Sequence, residues 1–280
     1  MSSENMDSRT FEAIADLAYR ESGLQLVAEK SSMIQSRLRH RLKALGINNF
    51  GAYADFVVTE NGSDERRQMI SALTTNVSHF FREKHHFDAL AKTILPRVFD
   101  GLTKGSRFRL WSAGCSNGQE AYSIAMTLLE CAPELRSHDV KILATDIDPN
   151  VVSFAQKGIY PERMVAGIPE PLLSKYFTQT TDTTNTDFCV NDNLKSLVVF
   201  KELNLLSDWP IKQNIDVIFC RNVVIYFDTS TQNKLWQRFN EVLSADGVLF
   251  LGHSERIATP DAFGFQSVGP TTYTHKAASI

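Results

Sequence analysis

The feature that most constrains the fold is the segment 107–120, R-F-R-L-W-S-A-G-C-S-N-G-Q-E. A short apolar run around Leu110 and Trp111 is broken by two glycines, and apolar residues with helical spacing follow over 121–129. A strand, a glycine turn and a helix in this order form the unit whose first turn holds a nucleotide-like ligand in open α/β sheets. The segment therefore predicts an α/β fold with a ligand site at one edge of its sheet.

The spacing of the two glycines narrows the kind of ligand. Gly114 and Gly118 are arranged as G-x-x-x-G, not G-x-G-x-x-G, and no Lys-Ser or Lys-Thr pair follows them. A loop that cradles a polyphosphate needs those signals, so a ligand with a nucleoside but no polyphosphate fits better. A tight turn without a ligand explains the two glycines equally well, and the remaining sequence has to decide.

Composition limits the class of protein. The chain has 280 residues, of which 43% are apolar and 22% charged, as in globular proteins with one large and one small domain. Residues 1–9 lack the basic start and apolar core of a signal peptide, and no run approaches about 18 apolar residues. We therefore expect a cytoplasmic protein without direct membrane insertion. The net charge of −3 predicts no general attraction to nucleic acid.

Neither cysteines nor histidines have the spacing of a metal site. The four cysteines include no C-x-x-C pair, which argues against zinc and against a disulfide framework. We expect them to be reduced and mostly buried: Cys115, Cys131, Cys189 and Cys220. His79, His85 and His86 have no acid or cysteine at ligand spacing, so we predict exposed helix histidines and no metal.

Residues 1–73 predict a small helical domain. Its second helix, 31–45, has one apolar stripe and ends at Gly46, a residue typical of helix C-caps. Basic residues border the stripe with no acid between them: Lys30, Arg37, Arg39, Arg41 and Lys43. Such a face is either merely solvated or a docking surface for an acidic partner. Shorter helices are predicted at 53–58 and 65–73.

The segment 74–87 joins this domain to the rest of the chain. It combines small polar residues with the pair Phe80-Phe81 and then Arg82 and Glu83. This composition suits a segment that crosses a crevice between domains, where ligands commonly bind.

Strands and helices alternate over residues 88–280. A helix at 88–99 precedes the central strand, and further strands are predicted at 140–145, 197–203, 215–220 and 248–251, with a terminal hairpin over 263–276. Asp146 ends one strand, where an acid can accept two hydrogen bonds from a ribose diol, and Asp148 before Pro149 predicts an N-cap. Polar groups and a glycine at strand ends should converge at one sheet edge: Gly114, Glu120, Asp146, Asn204, Arg221 and Asn222.

Two further segments interrupt or end this alternation. Residues 158–196 predict an inserted antiparallel hairpin with a flexible tip in the polar tract 178–187, although a disordered loop fits nearly as well. His253, Ser254 and Glu255 do not indicate a hydrolase, because consecutive residues of a strand point to opposite faces and no G-x-S-x-G elbow is present.

Several unusual strings occur together: A-L-T-T-N-V-S-H-F-F-R-E (72–83), W-S-A-G-C-S-N-G-Q-E-A-Y-S (111–123), A-T-D-I-D (144–148), F-C-R-N-V-V-I-Y-F-D (219–228) and L-G-H-S-E (251–255). They resemble the chemotaxis receptor methyltransferases, the CheR family, over nearly the whole chain, and the basic helix resembles that family's amino-terminal domain. The resemblance implies a class I methyltransferase fold, Rossmann-like with a mixed seven-stranded sheet, an all-α amino-terminal domain and a small antiparallel β-subdomain. It also implies S-adenosylmethionine as methyl donor, S-adenosylhomocysteine as product, and glutamates on the cytoplasmic helices of chemoreceptors as acceptors.

The resemblance also assigns residues. The family's donor site falls on Asn76, Ser78, Arg82, Glu120, Asp146, Asn204, Leu205, Arg221 and Asn222, next to the Gly114 turn. Ser78 stands where the family usually has threonine and keeps the hydroxyl. We expect Arg82 to steer the acceptor carboxylate and Tyr226 to orient it, although an interdomain salt bridge and a core position are alternatives. Receptor binding is expected at the basic helix, through Arg37, Arg39, Arg41 and Lys43.

These assignments divide the chain into a helical domain (1–73), a linker that contributes to the donor site (74–87) and a methyltransferase domain (88–280) with its β-subdomain at 158–196. In some members the subdomain binds a receptor carboxyl-terminal peptide. Only Gly167 lies between Gly158 and Asn193 here, unlike members with a glycine turn, so peptide binding stays open. We expect recruitment to membrane receptor arrays.

Two other classes of function are compatible with the pattern. A nucleotide-dependent oxidoreductase can use the same sheet and ribose acid, although it usually carries G-x-G-x-x-G. A receptor adaptor that has kept only the fold would bind receptor helices without turnover. Glu120, Asp146 and Asn222 are all present, which argues against the adaptor.

Overall fold

The computed structural model describes residues 5–181, 186–211 and 214–276. The first four residues of the polar amino-terminal segment lie outside these ranges, and so do residues 182–185 of the polar tract 178–187, where a hairpin tip is predicted. Among the helices within them, none is both long and apolar enough to cross a membrane.

Four helices form the amino-terminal part: α1 (Ser8–Ser22), α2 (Ser31–Leu45), α3 (Phe50–Val57) and α4 (Ser63–Leu73). Asp7 caps α1 by accepting the N–H of Thr10, and Gly46 ends α2 with a φ of 69°. The third helix begins three residues before the predicted start because the Asn49 side chain accepts the N–H of Ala52 and so caps it. The buried faces of all four helices share one apolar core.

The main sheet contains β1 (Phe108–Ala113), β2 (Val140–Asp146), β6 (Val198–Glu202), β7 (Ile215–Cys220), β8 (Leu243–Leu251), β9 (Phe265–Gly269) and β10 (Thr272–His275). Its order is β6-β2-β1-β7-β8-β10-β9, in which the first five strands are parallel and β10 is antiparallel to both neighbours. The predicted mixed seven-stranded sheet and terminal hairpin are confirmed. The strand order reverses between β1 and β7, which creates a crevice beyond their carboxyl ends.

Helices cover both faces of this sheet: α5 (Lys84–Ala89), α6 (Leu95–Thr103), α7 (Gln119–Cys131), α8 (Pro149–Lys157) and α12 (Thr229–Val242). The helix predicted at 88–99 was too short at both ends, since α5 continues through a π-turn, Leu90–Ile94, into α6. The π-turn lies just before Pro96, which has no N–H to continue an α-helical ladder. Asp148 caps α8, as predicted, by accepting the N–H of Asn150.

The insertion forms a second, antiparallel sheet of β3 (Ile159–Pro161), β5 (Thr186–Val190) and β4 (Phe177–Thr181), with short helices α9 (Glu162–Val165), α10 (Glu170–Tyr176) and α11 (Asp192–Lys195) beside it. The predicted β-subdomain is confirmed, and the alternative of a disordered loop is wrong for the described residues. Phe80 of the linker packs edge-on against Tyr160 and Phe177, with ring centroids 5.3 and 5.7 Å apart. This contact fixes the linker against the subdomain.

All four cysteines are free thiols. Cys115 and Cys220 are buried, Cys189 is half-buried and Cys131 is exposed. The prediction of mostly buried cysteines therefore holds for the two that lie at the ends of sheet strands.

Candidate active site

A deep crevice lies beyond the carboxyl ends of the parallel strands, at the point where the strand order reverses. Three parts of the chain form its walls: the end of α1, the linker and the sheet edge. It encloses about 1010 Å³ of space free of protein atoms, part of which is open to solvent. Open crevices at such a reversal of strand order are where α/β sheets bind their ligands.

All the residues assigned to the donor site line this crevice, and so does Tyr226. They are Asn76, Ser78, Arg82, Gly114, Glu120, Asp146, Asn204, Leu205, Arg221 and Asn222. The structure thus brings together the side chains whose convergence the sequence predicted. Binding of the donor by these residues stays a prediction.

The glycine turn after β1 sets the floor of the crevice. Gly114 has a φ of 88°, and a Cβ at this position would lie 2.3 Å from Cγ2 of Val223. Gly114 and Cys115 both donate their N–H groups to the main-chain oxygen of Thr145 at 2.8 Å. Only glycine fits here, and the turn is fixed against the end of β2.

Asp146 is a buried acid that the protein pairs incompletely. Oδ2 accepts the N–H of Ser116 at 2.8 Å and Oδ1 accepts the N–H of Asp148 at 3.0 Å. Burial raises the pKa of Asp146 to about 6, although these N–H groups act to lower it. Each oxygen of a carboxylate has two acceptor positions, so Asp146 can still accept hydrogen bonds from a diol.

Arg221 connects three groups at the centre of the crevice. Its side chain is 2% exposed, and it lies 3.2 Å from Oε2 of both Glu120 and Glu83. It also donates to the main-chain oxygen of Arg82, while Glu120 accepts the hydroxyl of Ser112 at 2.7 Å. Burial raises the pKa of Glu120, against the opposing effects of Arg221 and Ser112. Arg221 therefore joins the linker to the sheet edge.

The linker lines the crevice through residues that include Asn76, Ser78 and Arg82. Its Asn76 donates from Nδ2 to Oδ2 of Asp148 at 2.8 Å, and the hydroxyl of Ser116 donates to the main-chain oxygen of Asn76 at 3.1 Å. Phe81 donates its N–H to the hydroxyl of Ser123 at 3.0 Å. The linker is thus fastened to the glycine turn, to α7 and to the start of α8.

Left-handed backbone clusters around the crevice. Four non-glycine residues with φ between 49° and 59° lie in the linker, in the glycine turn and after β7: Phe81, Glu83, Ser116 and Asn222. Each such conformation costs on the order of 1–3 kcal/mol and persists only where surrounding contacts impose it. Strained backbone concentrated in one place is typical of a functional site.

Arg82 and Tyr226 occupy different kinds of position. The side chain of Arg82 is 27% exposed; it donates to the main-chain oxygen of Val77 at 3.2 Å and lies 4.0 Å from Glu83. These contacts lie within the linker, which does not support an interdomain salt bridge. Tyr226 lines the crevice and also packs against the core of the helical domain. Its position is therefore compatible both with the predicted role in orienting the acceptor and with the alternative of a core residue.

Asn204 fastens the helical domain to the sheet edge. It donates from Nδ2 to the main-chain oxygen of Glu21 at 2.7 Å, and its Oδ1 accepts the N–H of Leu206 at 2.9 Å. A second hydrogen bond also holds the helical domain here: the main-chain oxygen of Tyr226 accepts the N–H of Gln25 at 3.0 Å. The end of α1 is thus fastened to the sheet edge beside the crevice.

Half of the predicted receptor-binding residues have internal partners. Arg37 donates to the main-chain oxygens of Leu73 and Thr74 at 2.7 and 2.8 Å, where α4 ends. Arg41 forms two hydrogen bonds to Glu65, at 2.9 and 2.6 Å, and Glu65 is 5% exposed. The structure therefore does not support Arg37 and Arg41 as cations that are free to bind a partner. The sequence pattern suggests that their border of the α2 stripe faces solvent, but in the structure this border packs against α4.

The other two basic residues of α2 have a different environment. Arg39 and Lys43 are exposed, and both lie on the opposite border of the stripe. They remain the candidates for contact with an acidic partner.

The histidine prediction holds for one residue of three. His85 is exposed in α5, whereas His79 lies before that helix. His86 is fully buried, because the terminal hairpin covers it: Nε2 lies 3.0 Å from the hydroxyl of Thr271, and its ring lies 4.7 Å from that of Phe250. Over the described ranges, no three His, Cys, Asp or Glu side chains are grouped so that they could hold a metal ion.

Two acids of the site were missed by the sequence analysis as functional groups. Glu83 bonds Arg221, and Glu255 accepts main-chain N–H groups of the loop after β7. Both stand in strings that carried the family resemblance, the first directly after Arg82 and the second at the end of L-G-H-S-E. Their positions in those strings were the available signal.

Two protein-family models match this chain. The family model "CheR methyltransferase, all-alpha domain" matches residues 9–74, and "CheR methyltransferase, SAM binding domain" matches residues 76–273. Together the two models span the helical domain and the domain that contains the crevice. The resemblance predicted from the sequence strings is confirmed.

Curated relatives match over most of their length. A probable chemotaxis protein methyltransferase of Rhizobium etli is 42% identical over 264 residues, which are 94% of this chain and 98% of that protein. Chemotaxis protein methyltransferase 2 of Pseudomonas aeruginosa is 39% identical, covering 94% and 92%, and the chemotaxis protein methyltransferase of Escherichia coli is 38% identical, covering 89% and 84%. With both family models and these relatives in agreement, the chain belongs to the CheR methyltransferase family.

Proposed function

We propose that this protein transfers the methyl group of S-adenosylmethionine to glutamate side-chain carboxylates of chemoreceptors, forming glutamate methyl esters and S-adenosylhomocysteine. The observation that carries the proposal is the incompletely paired, buried Asp146 beside the Gly114 turn, in the crevice where the strand order reverses. The curated relatives are named chemotaxis protein methyltransferases, which supports chemoreceptors as substrates.

The residues of the crevice fit an adenosyl sulfonium. Asp146 would accept the two hydroxyls of the ribose, and the absence of a Cβ at Gly114 lets the ligand approach the main chain. Glu120 and Asp146 are two acids of the crevice wall that would favour a cationic ligand, while Asn76, Ser78 and Asn222 add polar groups to the walls.

The transfer needs no general base. When bound, S-adenosylmethionine supplies an electrophilic methyl on a positively charged sulfur. The acceptor glutamate, with a reference pKa of about 4.3, is already ionised at neutral pH. A bond forms between a carboxylate oxygen and the methyl carbon while the carbon–sulfur bond breaks, and sulfur keeps that electron pair, so no proton moves. The protein has to align these atoms and exclude water, and alignment alone can lower the barrier by roughly 7–11 kcal/mol.

Arg82 and Tyr226 are the residues we assign to the acceptor. Arg82 is partly exposed, and within the described residues its one ion-pair partner is the neighbouring Glu83, at 4.0 Å, so its guanidinium can turn toward an incoming carboxylate. The contact has to be loose, because a tight charge-assisted pair would reduce the nucleophilicity of the carboxylate. Tyr226, on the crevice wall, orients the acceptor or lines the path of the methyl group.

The partners we propose are the acidic cytoplasmic helices of chemoreceptors. Arg39 and Lys43 on α2 would attract them electrostatically, and a cytoplasmic enzyme would in this way be recruited to membrane receptor arrays. Peptide binding by the β-subdomain would use an edge strand of its three-stranded sheet, β3 or β4. A binding assay with receptor tail peptides decides whether this member uses that edge.

The decisive experiment is incubation of the protein with receptor membranes and S-adenosylmethionine labelled in the methyl group. We expect label that alkali releases as methanol, because methyl esters hydrolyse in base. Asp146→Asn should abolish labelling, whereas Asp55→Asn, at an exposed position on α3, should not. Alkali-stable label would indicate N-methylation, receptor binding without label an adaptor, and binding of a dinucleotide instead of S-adenosylhomocysteine an oxidoreductase.

A further inference from the structure

The turn 252–255 after β8 has no part in the proposed transfer, yet it touches two segments that build the crevice. Gly252 lies so close to the loop 221–226 that a Cβ there would be 2.5 Å from Nδ2 and 2.7 Å from N of Asn222. The turn and the loop are therefore packed main chain against main chain. Only a residue without a side chain permits this approach.

Glu255 fills the space between the turn and the loop. It is 4% exposed, and its Oε2 accepts the N–H of Gly252 at 2.6 Å and that of Asn222 at 2.7 Å. Its Oε1 accepts the N–H of Ile225 at 3.2 Å. One carboxylate thus holds three main-chain donors, two of them on the loop that carries Arg221, Asn222 and Tyr226.

The next residue along the turn reaches the linker. His253 donates its N–H to Oε1 of Glu83 at 3.0 Å, and its Nδ1 lies 3.0 Å from the same oxygen. Glu83 in turn pairs with Arg221. The turn therefore contacts both the loop after β7 and the segment that carries Arg82.

We propose that Glu255 is a positioning residue for methyl transfer: through these three main-chain hydrogen bonds it shapes the loop 221–226 so that Arg221, Asn222 and Tyr226 face the crevice. The left-handed backbone of Asn222, with a φ of 59°, is the conformation this carboxylate imposes. The activity and S-adenosylhomocysteine-binding readouts rest on the proposed function, whereas the hydrogen-exchange readout does not.

The test is Glu255→Gln, with Glu241→Gln, on the exposed side of α12, as the matched control. Glutamine keeps the shape of the side chain, but its NH2 group must face at least one N–H donor, because both carboxylate oxygens accept now. We expect kcat to fall about 100-fold, the effect of misplacing reacting groups by roughly 1 Å, and S-adenosylhomocysteine to bind more weakly. Glu241→Gln should change neither.

Hydrogen exchange separates positioning from general destabilisation. In Glu255→Gln, amide exchange should become faster in a peptide covering 221–226 while a peptide covering β2 keeps its rate. Unchanged kcat and affinity, or faster exchange spread evenly over the sheet, would overturn the proposal. If the variant does not fold, the wild type still tests it, because rapid exchange at Asn222 and Ile225 would contradict the bonds to Glu255. An inactive wild type with protected loop amides would count against the proposed function only.

Discussion

Two acids near the crevice, the buried Asp146 and the half-buried Glu83, have pKa values shifted in opposite directions. Burial raises the pKa of Asp146 to about 6, and main-chain N–H groups offset it only in part. Burial also acts to raise the pKa of Glu83, but the hydrogen bonds from His253 and the charge of Arg221 outweigh it and lower that pKa to about 2. The protein therefore supplies enough hydrogen-bond and ion-pair partners to stabilise the charge of Glu83, but not enough to stabilise the charge of Asp146.

The difference separates a group that builds the site from one that is prepared for a ligand. Glu83 keeps its charge because Arg221 and His253 pair with it inside the protein, and so it holds the linker in place. Under the proposed function, the remaining acceptor positions of Asp146 would take hydrogen bonds from a ligand with donor groups. Removing Asp146 should affect binding more than stability, and removing Glu83 should do the reverse.

The largest effect is expected for Asp146→Ala. Two charge-assisted hydrogen bonds to a ribose, worth about 2 kcal/mol each, would be lost, so the affinity for S-adenosylhomocysteine should fall about 1,000-fold. Isothermal titration calorimetry measures this change, and Asp55→Asn serves as the control. An affinity within about threefold of the wild type would mean that Asp146 does not bind the donor. The proposed difference in role between Asp146 and Glu83 would then be wrong.

A somewhat smaller effect, on stability, is expected for Glu83→Gln. The variant leaves Arg221, whose side chain is 2% exposed, with Glu120 as its only carboxylate partner among the contacts described. Breaking such a buried pair costs about 3 kcal/mol, which urea unfolding can measure. Glu202→Gln removes an exposed pairing with Arg67 and should cost less than about 1 kcal/mol. Equal losses of stability in the two variants would mean that the pair of Glu83 and Arg221 contributes no more to stability than an exposed pair does.

The third prediction concerns pH. The folded-state pKa of Asp146, about 6, exceeds the unfolded value of 3.8, so this group stabilises the ligand-free fold below pH about 4, and the contribution is lost as pH rises through about 6. Ligand binding has the opposite dependence, because ribose hydroxyls donate to the ionised acid. The affinity for S-adenosylhomocysteine should therefore fall as pH drops below about 6, by up to tenfold per pH unit.

Asp146→Asn provides the control for this pH dependence. Its side chain does not titrate, so its weaker binding should stay constant through the same pH range. Glu83, with a pKa of about 2, remains ionised throughout and cannot produce the effect. A decline of equal steepness in wild type and variant would assign the titration to another group.

Local patterns in the sequence were sufficient for the fold and for the wall of the crevice. The glycine turn between an apolar run and a helical stripe was enough to predict the position of Gly114 at the sheet edge. The position of Asp146 at the end of a strand was enough to predict that its carboxylate lies at the same edge. Parallel strands bring their carboxyl ends to one edge, so convergence followed from topology alone. The N-cap at Asp148 was found for the same reason, since a cap depends on its nearest neighbours in the chain.

The partners of charged side chains could not be read in this way. Glu83 lies 138 residues from Arg221 and 170 from His253, and Arg41 lies 24 residues from Glu65. Periodicity indicates which side of a helix is polar. Whether a cation on that side is solvated or pairs with a buried acid depends on the elements that pack there. His86 was misjudged for the same reason, since the hairpin that buries it begins about 180 residues later.

The smallest effect extends the comparison to α2, where Arg41 is paired internally and Arg39 and Lys43 are exposed. We expect the double variant Arg39→Glu with Lys43→Glu to raise KM for receptor methylation several-fold in low salt while the free energy of unfolding stays unchanged. The increase should largely vanish near 1 M salt, where the Debye length is about 3 Å. Steady-state methylation of receptor membranes at both salt concentrations measures it.

Arg41→Gln is the matched variant for this last test, because it removes a cation of the same helix that already has a partner. It leaves Glu65 buried without its guanidinium, so urea unfolding should detect a loss of stability, while KM should keep its salt dependence. The reverse outcome, a change in KM from Arg41→Gln and none from the double variant, would mean that the receptor displaces Glu65 from Arg41. Internal pairing would then no longer distinguish a structural cation from a binding one on this helix.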